Sequence, residues 1–172
     1  MLKKQKLFIV LIAGVMMASC MPEDNTAAKS HFDQAFSYIA TSQAAASDEQ
    51  KRKLLENAEK EFLNALKINP EYFDARMNLG VLYVTQGKLN MAEREYEKAY
   101  KLNPNDGTLL YNQAAVYSLT GRVDLGLERL DLALSNNFMN INALRNDPDI
   151  EALRKNASFK PLVEKHSLFV GN

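Results

Sequence analysis

The chain has 172 residues with 21 Lys and Arg against 21 Asp and Glu, long enough for one domain and without a net field to draw a polyanion, so nucleic acid is excluded as a first partner class. Hydrophobics at 47%, only 7 Gly and 5 Pro, and heavy use of Ala, Leu, Glu and Lys exclude collagen, disorder and a β-sandwich, and favour an α-helical globular chain. The single Cys rules out an internal disulfide framework and a Cys-based zinc site.

The chain opens with a basic stretch holding Lys3, Lys4 and Lys6, followed by an uncharged apolar run over residues 7–18. That run is shorter than the roughly 20 residues a spanning helix needs and matches the core of a signal peptide. It ends in Met17-Ala18-Ser19-Cys20, which resembles the lipobox of bacterial lipoproteins. The resemblance implies a signal over residues 1–19, cut just before a lipidated Cys20, although Met17 stands where the family usually has Leu. Without the lipobox, the same run reads as an ordinary signal cut near Ala18 or Ser19, or as an uncleaved anchor. Removing residues 1–19 takes away three Lys and no acid, leaving a formal charge of −3, so lipid rather than charge must hold the mature chain on a membrane. Met21 replaces the Asp that marks inner-membrane retention in the family, which points to the outer membrane and its periplasmic face. Residues 20–29 read as the lipidated Cys and a short polar tether.

A first helix is expected over about 28–45, with Phe32, Ala35, Phe36 and Ile39 at helical spacing, and a second over 48–68, with Ser47 as N-cap and Gln50 three residues on. From there the chain echoes itself at 34 residues: Ala58 returns as Ala92, Phe62 as Tyr96 and Leu130, Ala65 as Ala99 and Ala133, Pro70 as Pro104, Tyr83 as Tyr117, and Gly87 as Gly121. In each unit a Gly ends one helix, Asn90 or Asp124 is expected to cap the next, and a Pro stops that one. Leu79, Gly80, Tyr83, Gly87, Ala92, Tyr96, Ala99 and Pro104, in that order, resemble a tetratricopeptide repeat over 73–106. Residues 107–140 fit less cleanly, with Gln113 in place of Leu, Gly126 in place of Ala and Phe138 in place of Pro. Residues 134–163, which include Asp147-Pro148-Asp149-Ile150 and Phe159-Lys160-Pro161-Leu162-Val163, are similar to the segment that closes many bacterial tetratricopeptide domains.

Together these imply an all-α solenoid of antiparallel helix pairs over 30–172. It comprises about two and a half repeats, an atypical first unit over 30–72, a second over 73–106, a third over 107–140, and a C-terminal cap over 141–172.

No phosphate loop, dinucleotide fingerprint, nucleophile elbow or His-Glu-x-x-His pair occurs. The chain is therefore read as no enzyme, with no cofactor, metal or small-molecule substrate. His31 and His166 read as solvated. Asp147, Asp149 and Glu151 read as first-turn acids complementing a helix dipole. What remains is shape. Met77, Val81 and Val84 lie at i, i+4 and i+7, Tyr111, Ala115 and Ser118 repeat that register, and in the family these places line a concave groove for a peptide or helix. The same residues would instead be core if the first helix or the C-terminal segment packs on them. Met77 and Val81 stand where the family's carboxylate clamp has Lys and Asn, although Asn112 fits it, so an acidic peptide terminus is disfavoured.

The expected function is that of a lipid-anchored adaptor or scaffold in the bacterial envelope, binding another envelope protein or an amphipathic segment. The alternative is a structural lipoprotein that self-associates. Intact mass spectrometry of the membrane fraction should show a chain beginning at Cys20 with two or three acyl chains added. Cys20→Ala should leave the signal uncut by that route.

Overall fold

The computed structural model describes residues 23–167, so Cys20 and the signal sequence lie outside the described residues. The described chain is helical throughout. In order it forms α1 (Glu23–Gln43), α2 (Asp48–Ile68), α3 (Phe73–Thr85), α4 (Leu89–Leu102), α5 (Gly107–Leu119), α6 (Val123–Ser135) and α7 (Ile141–Asn146). A 3₁₀ turn (Pro148–Ile150) then leads into α8 (Glu151–Arg154) and α9 (Phe159–Lys165). Successive pairs α1–α2, α3–α4 and α5–α6 are antiparallel hairpins stacked side by side, and α7 to α9 fold back over the last pair.

The first helix begins earlier than its pattern suggests, taking in residues 23–29 that read as tether. Tertiary contact explains the extension: Ala28 is fully buried, and Asn69 at the end of α2 donates through Nδ2 to Asn25 Oδ1 at 2.7 Å. Further along, Phe32 packs 5.1 Å from Tyr72 and 5.8 Å from Phe62, centroid to centroid. His31 is not simply solvated, since its Nδ1 lies 2.5 Å from Glu61 Oε2 across the α1–α2 interface.

Caps follow the sequence where the loop leaves room for them. Ser47 Oγ accepts from Gln50 N at 3.1 Å, and Asp106 Oδ1 accepts from Leu109 N at 2.7 Å. At the turns inside the repeats the expected caps Asn90 and Asp124 are displaced. Gly87 sits at φ 72°, Gly87 N donates to Val84 O, and Lys88 N donates to Tyr83 O at 2.8 Å. This doubly bonded C-terminal motif uses Lys88 both to close α3 and to open α4, so Asn90 falls inside the helix. Gly121 and Arg122 repeat the arrangement, leaving Asp124 inside α6. Glu93 accepts from both terminal nitrogens of Arg122 at 2.7 Å, and the guanidinium holds its carboxyl below the usual range. The end of α6 uses the same motif with Asn137 in the left-handed position, at φ 62°, and Phe138 N donating to Ala133 O at 3.0 Å. A proline has no N–H to make that bond, which accounts for Phe138 at the place where other units carry Pro.

Small residues let the pairs close. A β-carbon on Gly80 would lie 2.2 Å from Tyr96 Cε1, so the fully buried Tyr96 ring fills the space where α3 has no side chain. Both α3 and α5 are covered on more than one side: α3 buries Leu79 and Tyr83 with Met77 and Ala75, and α5 buries Leu109 and Val116 with Leu110 and Tyr111. Two buried clusters result, one over α1 to α4 and one over α5 to α9. Helix α5 gives Leu109 and Val116 to the first and Leu110, Tyr111 and Ala114 to the second. The tail completes the second, with Ile150, Leu153, Phe159 and Val163 all buried and Leu153 seated over Gly126.

Gly80→Ala should destabilise the fold by about 1–3 kcal/mol through overpacking against Tyr96. Combining it with Tyr96→Leu should recover part of that loss, as read from urea denaturation. Deleting residues 146–172 strips four buried apolar side chains from the second cluster. At roughly 25 cal/mol per Å², this should cost several kcal/mol and lower the thermal midpoint.

Candidate functional site: a concave cleft

One face of the stack is hollow. A cleft of about 680 Å³ runs between the C-terminal ends of α1, α3 and α5. Ile39, Ser42 and Gln43 of α1 and Lys51 and Leu55 of α2 form one wall. Asn78, Val81, Val84 and Thr85 of α3 make the floor, and Leu119 of α5 with Asp149 of the 3₁₀ turn makes the far side. Residues three and four apart on α3 lie on one helix face and reach the hollow together.

The six groove residues expected from the sequence divide. Val81 and Val84 line the cleft and are half-buried. Met77 is packed into the first cluster, while Tyr111 and Ala115 are packed into the second. Ser118 is buried as well. Tyr111 is covered by the chain's own tail: its ring stacks on Phe138 with centroids 4.2 Å apart and planes 12° from parallel, and its hydroxyl donates to Asp147 Oδ2 at 2.7 Å. Met77, Tyr111, Ala115 and Ser118 therefore stand behind the surface that Val81 and Val84 present. Sequence periodicity did not identify Ile39, Leu55, Leu119 or Asp149 as neighbours of those two valines. Ile39 already stood out on the first helix, but nothing in the repeat register tells where the C-terminal segment crosses.

The polar groups of the lining are used unevenly. Ser42 Oγ donates to Ile39 O at 2.7 Å, Asn78 Nδ2 to Asp74 O at 2.8 Å, and Thr85 Oγ1 to Val81 O at 2.9 Å. Each gives its donor to its own helix. Gln86 Oε1 is a buried acceptor without a hydrogen-bond partner among the described residues. The two neighbouring tail acids also differ. Asp147 is bound by the Tyr111 hydroxyl and, through Oδ1, accepts from Asp149 N at 2.9 Å, while Arg154 donates to its carbonyl at 2.6 Å. The Asp149 carboxylate has no hydrogen-bond or ion-pair partner among the described residues. Burial, and then the charge of Asp147, push its carboxyl up to about 6. Among the described residues no group of three or more His, Asp or Glu side chains is placed to hold a metal ion.

Comparison with known proteins agrees with the fold. Residues 73–106 match the model of a tetratricopeptide repeat, so the chain carries at least one such unit. No curated protein matches the chain. Among solved structures it is similar to a thermophilic TPR protein of Thermus thermophilus, with TM-score 0.60, 23% identity and 67% of this chain covered. The chain spans only 59% of that protein's length. It is also similar to the TPR2B domain of yeast Sti1 in its pHsp70 complex, with TM-score 0.57, 18% identity, and coverage of 83% of this chain and 97% of that one. The fold is thus an all-α solenoid of tetratricopeptide-type helix pairs.

The free carboxylate has a measurable signature. An unfolded Asp titrates near 4, so between pH 4 and 6 the folded chain holds a proton at Asp149 that the unfolded chain has released. The site's contribution to stability is therefore present at low pH and lost as pH rises through about 6. Asp149→Asn should raise stability at pH 7 by on the order of 1–2 kcal/mol and leave it nearly unchanged at pH 4, measured by urea denaturation at both values.

Proposed function

We propose that the protein is a non-enzymatic adaptor of the bacterial envelope. Lipid on Cys20 anchors it, facing the periplasm from the outer membrane, and it holds an apolar or amphipathic segment of another envelope protein in the concave cleft. The observation that carries this reading is the set of aliphatic side chains left facing the hollow. Val81 and Val84 on α3, with Ile39 and Leu55 opposite, line an open hollow, although Leu79, Leu82 and Tyr83 of the same helix already bury its packing faces. A hollow in which aliphatic and polar side chains share the lining suits one side of a polypeptide, with its apolar residues and its backbone groups both accommodated. Met77, Tyr111, Ala115 and Ser118 act from behind by fixing the angles of α3 and α5. The TPR2B domain, which shares the fold, is seen in a complex with pHsp70, and that supports a polypeptide occupant here. The anchor rests on the basic, apolar and Ala18-Ser19-Cys20 segments of the N-terminus.

The reading is tested by a photo-crosslinking residue at Val84 in intact cells, with Arg94, exposed on α4, as the comparison position. The Val84 probe should give a discrete crosslinked partner, and the Arg94 probe should not. Val81→Glu places a charge on the floor, where binding would desolvate it without a counter-charge, so it should abolish the crosslink while circular dichroism stays helical. A crosslink unchanged by Val81→Glu would move the binding surface elsewhere.

A further inference from the structure

The cleft has a chemical sign. Lys51 at the exposed rim and the amides of Gln43, Asn78 and Gln86 bring donors to the lining, while its unpartnered acceptors are a carboxylate and a buried amide oxygen. Ser42 and Thr85 have turned their hydroxyl donors, and Asn78 one amide N–H, to helix carbonyls, and Gln86 Oε1 is buried without a partner among the described residues. Asp149 adds a carboxylate that no described side chain neutralises, although Arg154 lies close enough to bond the carbonyl of Asp147 two residues away. The neighbouring carboxylate, Asp147, is fully engaged by Tyr111 and the Asp149 amide, and this fixes the loop so that Asp149 faces the hollow. A desolvated, unpaired carboxylate is unfavourable until a cation arrives, and a charge-assisted hydrogen bond there is stronger than at an open surface.

From this we infer that the segment bound in the cleft carries an Arg or Lys side chain that pairs with Asp149 while its apolar residues lie on Val81 and Val84. The inference rests on the reading of the cleft as a polypeptide site and specifies the chemistry of its occupant. A guanidinium or ammonium supplies several donors and no acceptor, which complements the Asp149 carboxylate and the unpartnered Gln86 Oε1. An acidic segment would meet Asp149 as a like charge and leave Gln86 Oε1 unpaired.

The test is selection of random dodecapeptides displayed on phage against the immobilised full chain, followed by titration of the synthesised winners. Winners should share two or more apolar residues with one Arg or Lys. Replacing that residue with norleucine, or making Asp149→Asn, should each weaken binding about tenfold or more, and the two losses should not add. Winners that lose affinity with Val81→Glu but show no basic residue, or that ignore Asp149→Asn, would overturn this inference and leave the polypeptide cleft standing. If nothing is enriched over a blank surface, or if winners ignore Val81→Glu, the cleft is not a polypeptide site and both readings fall.

Discussion

A helix that is apolar on more than one side cannot be satisfied by a single partner, and the architecture follows from that constraint. Helices α3 and α5 each bury residues around most of their circumference, so the hairpin partner alone leaves apolar surface uncovered. Neighbouring pairs must stack, and the last pair must be closed by something that does not repeat. The tail meets that need with Ile150, Leu153, Phe159 and Val163. At the other end the long α1 covers α2 with a mixed aromatic face, where Phe32 and Phe36 meet Phe62. The small residues at the crossings set how near the helices come, most severely at Gly80, where the Tyr96 ring occupies the space of a side chain.

Much of this was legible from one period. The 34-residue echo located the helix pairs, the Gly turns at Gly87 and Gly121, and the fully buried Ala92, Ala99 and Ala133. Local chemistry identified Ser47 as a cap, and in the structure Asp106 and Asp147 cap α5 and the 3₁₀ turn. The misses have physical causes. Asn90 and Asp124 have the right side chains for capping, but the preceding turns are so short that a single residue ends one helix and begins the next. The tether reading of residues 23–29 used local polarity, whereas α1 is extended by contacts to α2, which lies far off in sequence.

The candidate site was legible only in part, for the same reason. Register shows which residues of α3 and α5 point inward, and Val81 and Val84 do line the cleft. It does not show where a non-repeating tail crosses. That crossing covers Tyr111, stacks Phe138 on it and brings Asp149 to the edge of the hollow. One hydroxyl–carboxylate bond thus separates two acids that look equivalent in the sequence: Asp147 becomes part of the structure, and Asp149 is left over. Gln113 is a further departure from the repeat. Its side chain is buried where the second unit has Leu79, with Oε1 unpaired, and nothing in the structure accounts for that choice.

The division of the interior into two clusters has a consequence for how the molecule breathes. Helix α5 belongs to both, and Tyr100 borders both, so the apolar contact between the halves runs through this one helix and its neighbour, and the seam there is the natural place for partial opening. The cleft straddles that seam, with Ile39, Leu55 and Val81 on one bank and Leu119 and Asp149 on the other. Anything seated there is a splint across the seam. Its grip would depend on how freely the halves tilt, and an occupant that touched both banks would slow opening of the whole solenoid, not only of the bank it holds most tightly.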